Sequence, residues 1–118
     1  MKMTSFLLIT RIGFYQILIQ PYFFLEILPK LKKGVIVHIH DIYLPYDYPQ
    51  FMCDRFYSEQ YGLAMYLLAN SDKYQTILPN YFITEDKELS SIIEPIWNHS
   101  NLNDVERHGG SFWFKIKT

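Results

Sequence analysis

Cysteine occurs once in these 118 residues, as Cys53, so no intramolecular disulfide can form. No further Cys or His stands at zinc-finger spacing, so a reducing cytosol is expected, with Cys53 a small, partly buried thiol. Excess charge is missing too. Eleven basic against twelve acidic side chains leave no basic stripe of the kind a phosphate backbone requires, which argues against nucleic acid as a partner. Long apolar runs are also missing. Arg11 divides Met3–Thr10 from the uncharged stretch Ile12–Leu25, and neither reaches the roughly 18 to 20 residues of a membrane span. Gln20, Pro21 and Tyr22 offer no small-residue cleavage site, so neither a membrane span nor export is expected. Repeats and low-complexity tracts are absent. The glycines are five, Gly13, Gly34, Gly62, Gly109 and Gly110, and none forms Gly-x-Gly.

What is present suits one small α/β domain, since apolar residues make up 49% of the chain. Its organising stretch is Gly34–Pro49, GVIVHIHDIYLPYDYP. A β-branched run after a glycine, followed by a loop of Tyr, Pro and Asp, reads as a buried strand that delivers polar groups to a rim. Strand alternation puts Ile36, His38 and His40 on one side and Val35, Val37, Ile39 and Asp41 on the other. A covered strand is normally apolar throughout, so a His-x-His-Asp ending marks a candidate site where α/β sheets bind ligands, outside the carboxyl ends of their strands.

Around that strand, Ser5–Ile9 reads as a short buried strand, and Gly13–Phe24 is apolar all round and needs covering. Tyr22–Lys33 reads as a helix with lysines in its last turn and Gly34 as its stop, kinked or split at Pro29. Phe56–Ala69 reads as a largely buried helix ended by Asn70, Ser71 and Asp72. Tyr74–Leu78 is a strand closed by Pro79 and Asn80. Thr84 is expected as the N-cap of a helix bearing Ile92, Ile93 and Ile96, weakened at Pro95. Asn98–Gly110 reads as polar loop, and Ser111–Lys117 as a terminal strand with Phe112, Phe114 and Ile116 on one face. Helix, strand, helix, strand order predicts Ser111–Lys117 antiparallel to Tyr74–Leu78.

LPKLKKGVIVHIHDIYLPYDYP, SEQYGLAMYLLAN, YQTILPNYF and GGSFWFKI, in this order and spacing, resemble the C-terminal half of a class I S-adenosylmethionine-dependent methyltransferase of the small-molecule type, over roughly Phe24 to Ile116. The resemblance implies a partial Rossmann-like sheet. Val35–His40 would be strand five, Tyr74–Leu78 strand six and Ser111–Lys117 strand seven, the last antiparallel. It implies a single partial domain over 1–118, with 1–22 divergent or truncated and 23–118 the C-terminal half. The family's Gly-rich turn and its acidic ribose ligand have no counterpart here, nor do the Asp and His after its fourth strand. A fragment that binds no cofactor and transfers no methyl group alone is therefore expected.

By the same resemblance, His40 and Asp41 match the pair that faces the methyl-transfer pocket. Asp41 would polarise an acceptor hydroxyl or hold a divalent metal, and His40 would act as a base. Glu59 and Gln60 match a polar block that lines the pocket, with helix-surface solvation as the plain alternative. Tyr43, Tyr46 and Tyr48 are expected as a substrate lid or as local packing. His38 is expected as a hydrogen-bonded core residue, and His99 and His108 are given no role. The implied partner is a small-molecule methyl acceptor, with self-association through uncovered apolar surface and a cytoplasmic location. Two other readings stay open: a metal-dependent hydrolase using His38 and His40, with Asp41 on the opposite face of an ideal strand, and a non-catalytic remnant that acts by pairing with another chain.

Overall fold

In the computed structural model the described residues are 21–118 and the strand at 6–9. The apolar segment expected from Gly13 onward therefore lies, as far as Gln20, outside the described residues. Four strands form one sheet: β1 (Phe6–Ile9), β2 (Ile36–Ile39), β3 (Tyr74–Pro79) and β4 (Phe112–Ile116), in the spatial order β1-β2-β4-β3. β1 runs parallel to β2, and β4 runs against both β2 and β3. Three strands thus point one way, and the last lies between two of them in the opposite sense. The expected pairing of the terminal strand with β3 is present, and β4 also pairs β2. A strand beside β2, at Phe6–Ile9, supplies a fourth where the resemblance accounted for three.

Alternation decides the core. Val37 pairs with Phe114 and Ile39 with Phe112, while His38 pairs with Trp113 on the other side. Val37, Ile39, Phe112, Phe114 and Ile116 are all buried, and they meet Phe23, Phe24, Leu28 and Leu63 in one cluster. Each such side chain contributes about 1.5–3 kcal/mol on leaving water. The opposite face is barer: Lys115 and its cross-strand partner Gln75 are exposed and Trp113 is half-buried. The outer strand β3 is also shifted in register between Thr76 and Leu78, an irregularity common at sheet edges.

The connecting elements depart from expectation in ways proline and local capping explain. Tyr22–Lys33 is not one helix: a wide π-helical turn over Phe23–Ile27 tightens into a 3₁₀ turn at Leu28–Lys30. Pro29 has no N–H to give the preceding turn, so the helix cannot continue through it. Lys73 Nζ donates to the Pro29 carbonyl at 2.8 Å and the Tyr66 hydroxyl to that of Phe24, which tie this segment to the turn before β3 and to the helix that precedes it. A short helix α1 (Gln50–Cys53) precedes α2 (Glu59–Ala69), which starts three residues later than expected because Phe56 takes a left-handed φ of 59°. After β3 comes α3 (Asn80–Glu85), then α4 (Lys87–Trp97). The α4 cap is Asp86 rather than Thr84: its carboxylate accepts from Glu88 N and Leu89 N at 3.1 and 2.9 Å. Thr84 lies inside α3. Pro95 is accommodated within α4, and a 3₁₀ turn at Ser100–Leu102 interrupts the expected loop. Among the described residues no helix is long and apolar enough to cross a membrane.

Candidate functional site

The edge at which β2 and β3 end and β4 begins gathers three segments. His40 and Asp41 follow β2, Asn80 and Tyr81 follow β3, and Gly109, Gly110 and Ser111 lead into β4. Backbone bonds join them: Ile42 N donates to Gly110 O at 2.8 Å, and Asn80 N to Ser111 O at 3.1 Å. The Asn80 side-chain amide also donates to Ser111 Oγ. Gly110 permits this closeness, since a Cβ there would sit 3.2 Å from Asp41 Cα.

Asp41 has a φ of 60°. A short polar side chain tolerates that left-handed conformation better than most residues do. The sequence reading put Asp41 on the face opposite His40, as an ideal strand would. The chain has left strand geometry by Asp41, however, and Asp41 Oδ1 lies 3.3 Å from His40 Nε2. The imidazole side chain is 45% exposed and the carboxylate side chain 14%. A shielded carboxylate beside an accessible ring nitrogen can receive a hydroxyl hydrogen bond and pass its proton outward.

The Tyr-rich loop beyond is held by residues expected to line a pocket. Gln60, buried at 1% exposure, accepts from Tyr43 N at 2.9 Å and donates to Tyr46 O at 3.1 Å. Its own N–H donates to the Tyr48 hydroxyl at 2.9 Å, and that hydroxyl donates to Glu59 Oε2 at 3.2 Å. Both amide atoms of Gln60 therefore serve the loop backbone. Glu59 braces Tyr48, whose burial raises its hydroxyl well above the ordinary tyrosine value. Tyr61 donates to Asp47 at 2.5 Å, which lowers the carboxyl and pushes the phenol up to about 12. Tyr43 stands at the rim itself, its ring edge-on to Tyr81 at 4.7 Å, and burial followed by the Asp41 charge raises its hydroxyl. Tyr46 is more open and also approaches Tyr81, at 5.8 Å. Cys53 is half-buried, its thiol donating to Tyr48 O at 3.6 Å.

His38 corrects an expectation. It is buried, but among the described residues neither ring nitrogen has a hydrogen-bond partner, and the ring instead stacks on Trp113 at 4.4 Å and 20°. Its centroid is 6.5 Å from that of His40. Burial, with His40 adding to it, holds the imidazole below its ordinary 6.5. A depressed histidine value means that the unfolded chain takes up the proton first, so stability is present above 6.5 and declines as pH falls below it. Urea midpoints are therefore expected to drop between pH 7.5 and 5.5 in the wild type and to drop less in His38→Phe. Equal drops in both proteins would remove His38 as the cause.

Among the described residues no three His, Cys, Asp or Glu side chains come together as a metal-binding group. The His38/His40 hydrolase reading thus lacks its third ligand there. Neither do the described glycines form a cofactor cradle. Gly34 takes its φ of 93° in the turn before β2, Gly62 packs on the Phe24 ring, Gly110 packs on Asp41, and Gly109 is open. The sequence reading missed Asn80, Tyr81 and Gly110. The rule that picked out His40, that ligands gather at strand carboxyl ends, applies equally to the residues after Pro79. No family model matches the chain, and no curated protein or solved structure is significantly similar to it.

Proposed function

We propose that this chain forms the acceptor-binding side of an S-adenosylmethionine-dependent methyltransferase of the small-molecule type, built on a partial Rossmann-like sheet. The supporting observation is the strand arrangement. β2 and β3 run alike with the terminal strand antiparallel between them, and the paired His40 and Asp41 stand at the carboxyl end of β2. In this reading Asp41 accepts a hydrogen bond from an acceptor hydroxyl and His40 takes the proton as the oxygen gains nucleophilic character. Tyr43 and Tyr46 wall the rim, and Glu59 and Gln60 hold their loop in place. Among the described residues no group of three metal donors includes Asp41, so the role proposed for it is written without a metal. A cytoplasmic location goes with this reading, supported by the single unpaired thiol. Exposed apolar side chains such as Phe56, Met65 and Leu68 suit association with a second copy or a further chain.

Cofactor and acceptor must be held together for proximity to lower the barrier, an effect that reaches roughly 7–11 kcal/mol in well-oriented systems. The described glycines offer the cofactor no cradle, so the 118-residue chain alone is expected to give no saturable heat when titrated with S-adenosylmethionine and to transfer no methyl group. Saturable binding at micromolar cofactor would overturn the division of the site between acceptor and cofactor sides.

A further inference from the structure

A cavity of about 430 Å³ opens between α3, α4 and the segment 105–109, sharing only Asn80 and Gly109 with the rim described above. Its walls are apolar, formed by Leu78, Ile83, Ile93, Ile96, Trp97 and Val105. The polar groups beside them are occupied with each other. Thr84 Oγ1 donates to the carbonyls of Asn80 and Arg107 at 3.0 and 3.3 Å, and Arg107 pairs with Glu94 at 2.9 Å. An occupant therefore meets hydrocarbon and aromatic surface within and hydrogen-bonding groups only at the edge. The volume lies within the roughly 300–1,000 Å³ of small-molecule sites, and a concave wall drawn from three segments suits a compact ligand better than a flat protein face. Ile96 and Leu78 remain 58% and 41% exposed, apolar surface that such a ligand would cover.

The cavity adjoins the rim through shared and neighbouring residues. Asn80, in its wall, is bonded to Ser111, and Gly109, also in its wall, precedes the Gly110 that packs on Asp41. We propose that this cavity seats the apolar body of a hydroxylated small molecule, with room for a bicyclic aromatic alcohol or a somewhat larger one, and with its hydroxyl directed to His40 and Asp41. The direction of the hydroxyl rests on the acceptor reading above, whereas the seat of the apolar body stands on the cavity alone.

The test titrates the full chain with 2-naphthol and with 2-methylnaphthalene and follows backbone amide and indole NMR shifts. Both compounds are expected to give saturable shifts centred on Ile83, Ile93, Trp97 and Val105. A hydrogen bond to a charged group predicts that 2-naphthol binds about tenfold more tightly, an advantage lost in Asp41→Asn. Ile93→Glu is expected to abolish both titrations, and the shift map of the wild type carries the same information if that variant does not fold. Shifts scattered over exposed residues such as Phe56 and Leu68, or no saturation, would overturn the cavity as a binding site. Cavity shifts with equal affinities and no effect of Asp41→Asn would overturn the hydroxyl's direction, and with it the acceptor reading, while the apolar seat would stand.

Discussion

Phe114→Ala is expected to lose about 3–5 kcal/mol of unfolding free energy, the usual range for truncating a buried aromatic. Phe114 has no exposed surface, pairs with Val37 on one side and Thr76 on the other, and meets the Tyr74 ring at 6.0 Å. It is thus the side chain through which β2, β3 and the helical layer share one core. Small domains are stable by only about 5–15 kcal/mol in total, so the loss removes a large share of the fold. Phe114→Leu, which leaves a smaller void, should fall between that variant and the wild type. Lys115→Ala, on the exposed neighbour, should stay within about 0.5 kcal/mol. Urea unfolding followed by circular dichroism gives all three, and a loss below about 1 kcal/mol in Phe114→Ala would show that the core is not organised through β4.

Asp41→Asn is the substitution with the largest expected effect on chemistry. Asparagine tolerates the left-handed backbone that Asp41 occupies, so the change removes charge without forcing the turn. In a chain that also carries a cofactor-binding Gly-x-Gly segment, turnover should fall about 10²–10⁴-fold, the range of general acid–base assistance, with cofactor affinity unchanged. A residue that acts on the acceptor hydroxyl works mainly in the transition state, hence the separation of the two quantities. Unaltered turnover in the presence of acceptor would remove Asp41 from the proposed chemistry.

Much of the sheet was legible because alternation speaks plainly where one face is dry. Phe112, Phe114 and Ile116 were expected on one side of the terminal strand, and all three are buried. The candidate pair at His40 and Asp41 was legible from type and place, but its geometry was not. An ideal strand separates the two, and only a positive φ, which no pattern of side chains announces for Asp, brings them to 3.3 Å. Gln60 was read by resemblance as pocket lining, with solvation at the start of a helix as the alternative. Its burial comes from two loop backbone groups far along the chain, a tertiary demand with no local signal. His38 failed as a hydrogen-bonded residue for a related reason. Cross-strand pairing set it opposite Trp113, and stacking took the place of a polar partner.

The position of β4 also governs when the fold can exist during synthesis. A ribosome delivers β2 and β3 well before the strand that joins them, so until Ser111 and the residues after it emerge, the two earlier strands have no partner in common. Through that interval Val37 and Ile39 lack the Phe114 and Phe112 that cover them, and the unpaired edges are open to neighbouring nascent chains. Cooperative folding is thereby deferred until Ser111–Lys117 has been made. A chain that stops just before Ser111 would lack the strand at the centre of its sheet and would be exposed to proteolysis.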